Sequence, residues 1–152
     1  MSEVLEQWRA WIDAFEATVK DDNWERLKPF LTEDVEYRVM GVPFSTHVRG
    51  RDAVVAGLAQ SVRHFDRRMD DRRWSPLAIR VDEPGYLRCH ILSEYKRGDD
   101  WVLAFQAEGH WGFRDGKIDL MLDFYDPQHI DVQEALAWIH EHGEGLDPRY
   151  LS

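Results

Sequence analysis

The chain has 152 residues and a net charge of −10 at pH 7, from 29 acidic and 19 basic side chains. This length fits one domain, residues 1–152, with a core large enough to fold without disulfides or a structural metal. An acidic surface repels polyphosphate and anionic lipid, so we expect neither nucleic acid nor a membrane as a partner. Seven Trp, seven Phe and five Tyr indicate either a large aromatic core or an aromatic-lined cavity.

The single cysteine, Cys89, excludes an internal disulfide framework and is typical of a protein from a reducing compartment. The N-terminal sequence is acidic and amphipathic, with no basic region before an apolar run, so we expect no secretory signal. No apolar run approaches the length that spans a membrane. The expected location is therefore cytoplasmic.

The first half of the chain alternates helical and extended patterns. Apolar residues recur at helical spacing from Glu3 to Lys20, which predicts an amphipathic helix that packs on the core. A short helix over WERLKPFL is expected next, then an alternating strand over VEYRVMGV. Pro43 to Arg51 lacks periodicity, which predicts a loop able to cover a cavity. Helical spacing returns from Asp52 to His64.

The second half is predicted to be mostly strands. Extended runs from Trp74 to Val81, Tyr86 to Arg97 and Trp101 to Asp126 are separated by turns, and a short helix covers Val132 to His142. Helices first and antiparallel strands later are typical of an α+β domain. We expect a cone-shaped, curved antiparallel sheet packed against the N-terminal helices, with a short C-terminal helix and a hollow inside.

The strongest local signal is the stretch from Trp101 to Asp126. Asp115-Gly116 between two alternating runs predicts a type I′ hairpin turn, because Gly accepts the positive φ that this turn needs. A regular two-residue turn fixes the register, and it places Glu108 opposite Asp123. The other side chains predicted on this polar face are Gln106, His110, Met121 and Tyr125. The opposite face is predicted to be apolar, with Ala107, Trp111, Leu120, Leu122 and Phe124.

Two carboxylates that face each other in a poorly solvated site repel, so one of them holds a proton near neutral pH. Glu108 and Asp123 therefore form a plausible proton-transfer pair if their face lines a pocket. If the face is exposed to solvent instead, both acids are simply hydrated. His90 joins this face only if the turn at Gly98-Asp99 has an odd number of residues.

Three segments of the chain resemble the nuclear transport factor 2-like, or SnoaL-like, superfamily. They are DDNWERLKPFLTEDVEYRV, VRGRDAVVAGL and WGFRDGKIDLMLDFYD, and the resemblance covers most of residues 3–127. It implies the conical α+β fold described above. The superfamily includes polyketide cyclases, ketosteroid isomerase, limonene-epoxide hydrolase, scytalone dehydratase and the small subunits of ring-hydroxylating dioxygenases, so the fold alone selects no reaction.

Comparison with individual members narrows the chemistry. Ketosteroid isomerase uses an Asp base, a Tyr and a protonated Asp. At those positions this chain has Val39, Phe15 and Gly109, so steroid isomerisation is not expected. Asp123 matches the catalytic acid of the epoxide hydrolase, whereas His90 and Leu92 replace that enzyme's Arg and second Asp. Tyr37 matches the substrate-polarising tyrosine of scytalone dehydratase, and His64 and His90 have the separation of its two histidines.

Together these observations predict a cofactor-independent acid/base enzyme, a cyclase, isomerase, dehydratase or hydrolase, for a small, mostly apolar carbonyl- or epoxide-bearing molecule. Asp123 is the expected acid or base, Glu108 tunes its pKa, and Tyr37 and His110 orient or polarise the substrate. The residues expected to bind substrate are Phe15, Val39, His64, His90, Met121 and Tyr125. We expect no metal, because HExxH and CxxC are absent, and no nucleotide cofactor, because no glycine-rich phosphate loop follows a strand.

A non-catalytic role is the alternative from a different class. In that case the chain binds a small ligand, or it is an assembly subunit similar to the small subunit of ring-hydroxylating dioxygenases. The sheet then serves as an interface. In either case a homodimer through the sheet is expected.

Overall fold

The computed structural model describes residues 2–82 and 84–151. The α-helices in these ranges are α1 (Glu3–Asp21), α2 (Arg51–His64) and α3 (Ile130–His142), and 3₁₀ helices cover Trp24–Phe30 and Asp66–Arg68. The strands are β1 (Leu31–Met40), β2 (Thr46–Arg49), β3 (Asp71–Asp82), β4 (Tyr86–Arg97), β5 (Asp100–Arg114) and β6 (Lys117–Phe124).

These strands form one open, curved sheet in the order β2-β1-β6-β5-β4-β3, packed against the N-terminal helices. The predicted α+β fold class is therefore confirmed. Neighbouring strands are antiparallel except β1 and β6, which run parallel. The sheet is thus mixed, because the meander from β3 to β6 returns the chain beside β1 in the direction of β1.

Helix α1 begins where the sequence pattern predicts. The Ser2 hydroxyl caps it by accepting a hydrogen bond from the Leu5 amide at 3.2 Å, and Glu3 and Glu6 favourably face the positive end of the helix dipole. One side of the helix is buried against the sheet, and its buried members include Val4, Trp8, Trp11 and Val19. The helix ends at Asp21, and its C-cap residue Asp22 has a left-handed backbone with φ of 62°.

The register of the sheet shifts at four places. The shifts lie between Leu31 and Glu36 in β1, between Pro76 and Ala78 in β3, at Tyr95/Lys96 opposite β5, and at Gly112/Phe113 opposite β6. An extra residue in one strand bends it and increases its twist. These irregularities therefore help the sheet to curve around α1 and α2.

Two segments differ from the sequence prediction. Strand β1 begins at Leu31, earlier than expected, and Thr46–Arg49 forms edge strand β2 inside the stretch predicted to be a loop. Glu36 on β1 holds β2, because its carboxylate lies 3.0 Å from the His47 ring and 3.3 Å from the Arg49 guanidinium. A four-residue strand fixed by cross-strand ion pairs has too little alternation to be found from the sequence.

The core has two parts. The larger lies between α1, α2 and the inner face of the sheet, and its most buried side chains include Leu27, Leu31, Val35, Val54, Leu87 and Ile118. The smaller lies under α3 and contains Phe65, Met69, Tyr95, Leu103 and Ala135. Between them, the inner face of β1 and β6 carries the polar side chains that define the candidate site.

Candidate active site

The hairpin between β5 and β6 has the predicted turn but a different register. Asp115 and Gly116 have φ of 52° and 77°, as a type I′ turn requires, and Arg114 pairs with Lys117. Beyond Ile118 the register of the pairing shifts by one residue, because Asp119 is an extra residue in β6. The predicted pairing of Glu108 with Asp123 is therefore wrong.

The extra residue moves the two acids to opposite faces of the sheet. Asp123 pairs with Gly109 and Glu108 pairs with Phe124. On the other side of β6, Asp123 lies beside Val39 of β1 and Met121 lies beside Tyr37. The inner face therefore carries Asp123 together with Tyr37, whereas Glu108 lies outside.

Asp123 is paired with a tyrosine instead of a second acid. The Tyr37 hydroxyl donates to Asp123 Oδ2 at 2.6 Å. Burial raises the pKa of Asp123 to about 6, and the hydrogen bond from Tyr37 opposes part of that rise. A carboxyl with this pKa exchanges its proton near neutral pH, which an ordinary surface aspartate does not do.

Tyr37 remains protonated in this environment. Its side chain is 4% exposed, and burial raises its pKa well above 10, with the Asp123 charge adding to the effect. A neutral phenol keeps its proton and can donate it in a hydrogen bond, as Tyr37 does to Asp123. Tyr37 thus fixes the orientation of the Asp123 carboxyl.

Asp123 opens onto a cavity of about 90 Å³. The apolar lining residues are Trp11, Ile12, Phe15, Leu58, Trp74, Ile91, Trp111 and Met121, and the polar ones are Glu16, Tyr37 and Asp123. The aromatic residues thus form both core and cavity wall. Partly exposed Ile12, Glu16 and Trp74 place the mouth between α1 and β3.

Glu16 at this mouth is already bound to an arginine. Both of its carboxylate oxygens accept from Arg72 Nη1, at 2.8 and 2.7 Å, and Arg72 also lies 3.1 Å from Asp66. The Tyr95 hydroxyl donates to Asp66 at 3.0 Å. Because the charge of Glu16 is compensated in this way, Asp123 is the acid of the cavity lining without a cationic partner in the described hydrogen bonds and ion pairs.

The outer face holds a separate polar network. The Glu108 carboxylate lies 3.3 Å from His90 Nδ1 and 3.9 Å from His110 Nε2, and the Tyr86 hydroxyl lies 2.8 Å from His110 Nδ1. The Gln106 carbonyl lies 2.5 Å from His90 Nε2, and these contacts raise the pKa of His90. Burial lowers the pKa of His110. Glu108, His110 and His90 therefore lie together as predicted, but they lie on the outer face of the sheet and not beside Asp123 or the cavity.

The parity of the preceding turn explains how His90 reaches Glu108. The turn at Gly98-Asp99 has two residues, since Arg97 pairs with Asp100. The register then shifts by one residue before Tyr95 pairs with Leu103. This shift has the same effect on the facing of later residues as a turn with an odd number of residues. His90 and Glu108 are direct cross-strand partners as a result.

The residues expected to bind substrate are divided among several places. Phe15 and Met121 line the cavity, and Val39 is buried beside Asp123 without lining it. Tyr125 lies at the other end of the cone, in a gap of about 20 Å³ under α3. His64 is exposed at the end of α2, with Nδ1 2.8 Å from the Gln60 carbonyl, so the predicted place in the pocket is wrong.

Several residues in or beside the cavity were not singled out from the sequence. Trp11 belongs to the recognised stripe of α1, and its i, i+4 spacing with Phe15 was the available signal. Trp74 and Trp111 are inward-facing strand positions whose neighbours depend on long-range pairing. Tyr150 near the C-terminus lies against Tyr37, with ring centroids 5.3 Å apart, and no local pattern marks it.

Within residues 2–82 and 84–151 the structure contains no group of three or more His, Cys, Asp or Glu side chains arranged to hold a metal ion. The same ranges contain no helix with the length and apolar character needed to cross a bilayer.

Comparison with known proteins places this geometry in a family. The model of the SnoaL-like domain family matches residues 8–121. No curated protein sequence matches the chain.

Several solved structures have a similar fold. An LEH-like epoxide hydrolase from M. tuberculosis is 18% identical with a TM-score of 0.59, over 89% of this chain and 90% of that one. A protein assigned as a SnoaL-like polyketide cyclase from Shewanella putrefaciens is 11% identical with a TM-score of 0.68, over 90% and 87%. TerC, co-crystallised with polyporic acid, is 18% identical with a TM-score of 0.63, over 90% and 99%.

Proposed function

Because the chain belongs to the SnoaL-like domain family, we propose that it is a cofactor-independent acid/base enzyme acting on a small, mostly apolar molecule that carries a carbonyl or an epoxide. The observation that carries the proposal is the Asp123 carboxyl, held by Tyr37 at 2.6 Å inside an aromatic cavity. Its pKa of about 6 suits a group that both accepts and returns a proton near neutral pH.

Proton exchange at Asp123 can run in both directions. At pH 7 a carboxyl with a pKa of about 6 is mostly ionised, so it can take a proton from a carbon beside a carbonyl or from an attacking water. The protonated form is still accessible, so the same group can return the proton to a developing oxyanion. Cyclisation, isomerisation, dehydration and epoxide opening all need such an exchange.

The cavity favours an apolar substrate. Four aromatic rings, those of Trp11, Phe15, Trp74 and Trp111, contribute to its wall. The volume of about 90 Å³ is below the several hundred Å³ typical of ligand pockets. We therefore expect a small substrate, or one whose reacting end enters while the rest lies in the mouth between α1 and β3.

The roles expected from the sequence change in one respect. Tyr37 has its proton committed to Asp123, so we assign it to orienting the carboxyl in place of polarising the substrate. Glu108, His90 and His110 have no place in this mechanism, because they lie on the outer face of the sheet. The reaction therefore depends on one carboxyl and its tyrosine.

Structural neighbours support the general class. One is an epoxide hydrolase, a second is assigned as a polyketide cyclase, and a third was crystallised with polyporic acid. All are under 25% identical to this chain, so they share its fold and do not select its substrate. The reaction class rests on Asp123 and the cavity.

Two assays on panels of simple compounds test the proposal. The first follows, by proton NMR, the exchange of α-protons of small cyclic ketones for deuterium in D₂O. The second follows the hydrolysis of small cyclic and aryl epoxides. We expect the wild-type protein to accelerate one of these reactions and Asp123→Asn to lower that rate about 10²- to 10⁴-fold, the usual contribution of an acid/base group.

The matched control is Glu108→Gln, the same carboxylate-to-amide change on the opposite face of the same hairpin. It is expected to keep the wild-type rate. Wild-type protein that accelerates neither reaction across the panel contradicts the proposal. So does an Asp123→Asn variant as active as the wild type.

A homodimer through the sheet remains a prediction, and one observation favours the outer face for it. Met40 and Phe124 lie on neighbouring strands and are 38% and 39% exposed, next to Leu120 and Leu122 on the same side of β6. Sedimentation of the purified chain, with Phe124→Glu for comparison, tests it. A wild-type monomer argues against both the homodimer and a self-assembling interface.

A further inference from the structure

The chain does not end at α3 but returns along α2. We call residues 143–151 the C-terminal strap. It begins at Gly143, whose amide donates to the Ile139 carbonyl at 2.8 Å, and a Cβ at this position would lie 2.2 Å from that oxygen. Gly145 follows with φ of +81°. These two glycines turn the chain sharply away from the axis of α3.

The strap is fastened to the C-terminal half of α2. The Asp147 amide donates to the His64 carbonyl at 2.9 Å, and the buried Ser61 hydroxyl donates to the Pro148 carbonyl at 2.7 Å. The Gln60 side chain donates to the Arg149 carbonyl at 3.3 Å. Consecutive strap residues therefore have fixed partners, so the strap holds one path along the helix.

A glycine inside α2 allows the strap to approach closely. Gly57 lies in the middle of the helix, where glycine costs about 1 kcal/mol relative to alanine. A Cβ at Gly57 would lie 3.2 Å from the Tyr150 carbonyl oxygen. The contact gives a packing reason for this glycine, and it fixes the depth at which Tyr150 enters.

Tyr150 packs against the tyrosine that holds Asp123. The rings of Tyr150 and Tyr37 meet edge to face, at 79° and 5.3 Å between centroids. Burial raises the pKa of Tyr150, and the Asp123 charge raises it further, so the two groups interact electrostatically. Tyr150 is not part of the cavity lining found in the described ranges, so it acts on Asp123 mainly through Tyr37.

We propose that Tyr150 is a positioning residue: carried by the C-terminal strap, its ring holds Tyr37 in place and shields the Tyr37–Asp123 pair from solvent. A catalytic role for Tyr150 rests on the proposed function. The effect of Tyr150 on Tyr37 and Asp123 does not depend on any substrate. The strap then covers the Tyr37–Asp123 pair from behind Tyr37, outside the cavity lining.

The test is the titration of the Asp123 carboxyl by carbon NMR in the full chain, assigned with Asp123→Asn. Burial is the main cause of the raised pKa, so removing this cover lets water in and lowers it. Tyr150→Ala should therefore move the midpoint from about 6 towards the ordinary aspartate value, by about one unit or more. Tyr150→Phe keeps the ring and removes only the hydroxyl, which interacts with Tyr37 and Ser61, so it should move the midpoint much less than Tyr150→Ala does.

Two further variants separate positioning from general damage. Leu151 is the next residue of the strap and is 54% exposed, so Leu151→Ala should not move the midpoint. Ser61→Ala leaves the strap sequence intact but removes the donor to Pro148, and it should lower the midpoint by less than Tyr150→Ala does. The Asp123 midpoint of Ser61→Ala therefore tests the inference even if Tyr150→Ala fails to fold.

An Asp123 midpoint that stays at the wild-type value in both Tyr150→Ala and Ser61→Ala overturns the inference. A midpoint that falls equally in Tyr150→Phe also overturns it, because the ring is then not what matters. These outcomes are distinct from failure of the proposed function, which depends on turnover by the wild type and its loss in Asp123→Asn.

Discussion

The two faces of the β5-β6 hairpin place the same functional group in opposite settings. On the inner face, Asp123 has a tyrosine as its hydrogen-bond partner, and burial raises its pKa to about 6. On the outer face, the Glu108 side chain is 43% exposed and lies 3.3 Å from one histidine and 3.9 Å from another. The difference shows that the face of the sheet decides which of the two carboxyls is desolvated.

A single residue determines this division. Asp119 adds one position to β6 after Ile118, and every later residue of the strand then faces the side opposite to that given by an uninterrupted register. Gly112 across from the irregularity helps to accommodate it, because a Cβ there would lie 2.8 Å from the Asp119 carboxylate. The candidate site thus depends on one irregular pair in an otherwise regular hairpin.

The largest contrast between the faces should be in stability. Trp111 points inward, is 5% exposed and meets Trp8 edge to face at 5.5 Å. Trp111→Ala should lower the free energy of unfolding by about 3–5 kcal/mol, the usual range for a buried aromatic. Phe124→Ala on the outer face, where the ring is 39% exposed, should cost about 1 kcal/mol or less.

Chemical denaturation at two protein concentrations measures both variants. A larger loss for Phe124→Ala at the higher concentration reports an interface on the outer face, since association adds to apparent stability. Equal losses for the two variants at low concentration contradict the assignment of the faces.

The second contrast is in the pH dependence of stability. The folded state binds the Asp123 proton more tightly than the unfolded chain, so this contribution is complete below pH about 3.9 and is lost as pH rises through about 6. Asp123→Asn has no such loss. The free energy of unfolding of Asp123→Asn, relative to that of the wild type, should therefore rise by up to about 3 kcal/mol between pH 4 and pH 8. The rise is smaller where water in the cavity screens the charge.

The control is Glu108→Gln in a His90→Gln background, because Glu108 raises the pKa of His90 and the loss of that coupling alone would change stability between pH 4 and pH 8. A gain in this background as large as that of Asp123→Asn would contradict the contrast between the two faces. If the Asp123→Asn difference is flat with pH, the carboxyl is not desolvated and the comparison between the faces fails.

The smallest expected effect concerns two tyrosines that form hydrogen bonds on opposite faces of the sheet, Tyr37 on the inner face and Tyr86 on the outer face. Tyr37→Phe removes the hydrogen bond that lowers the pKa of Asp123, so the Asp123 midpoint should rise above 6. Tyr86→Phe removes the partner of His110 on the outer face and should leave that midpoint unchanged. An NMR titration of each variant decides, and a midpoint in Tyr37→Phe equal to that of the wild type is the contrary result.

Local patterns predict much of this fold. The apolar spacing of α1, the alternation of β4 and the turn at Asp115-Gly116 are all encoded within short windows, and each forms as expected. The inward direction of Val35, Tyr37 and Val39 on β1 also follows from alternation alone. The fold class and the inward direction of Tyr37 could therefore be predicted.

What could not be predicted depends on residues that are distant in sequence or on a one-residue shift. Nothing in KIDLMLDF marks Asp119 as extra, because the irregularity reflects the curvature of the whole sheet. The parallel pairing of β1 with β6 brings together Tyr37 and Asp123, which are 86 positions apart. Tyr150 reaches the site through a strap that has no regular structure. The predicted partner of Asp123 is therefore wrong, whereas the role of Asp123 as the acid or base stays a prediction.

The most direct test of this account is the titration of the Asp123 carboxyl in the wild-type protein, followed by carbon NMR and assigned with Asp123→Asn. A carboxyl buried beside Tyr37 in the cavity predicts a midpoint of about 6. A midpoint near the ordinary aspartate value of about 3.9 would mean that water reaches the group freely, and the proposed acid/base site would be contradicted.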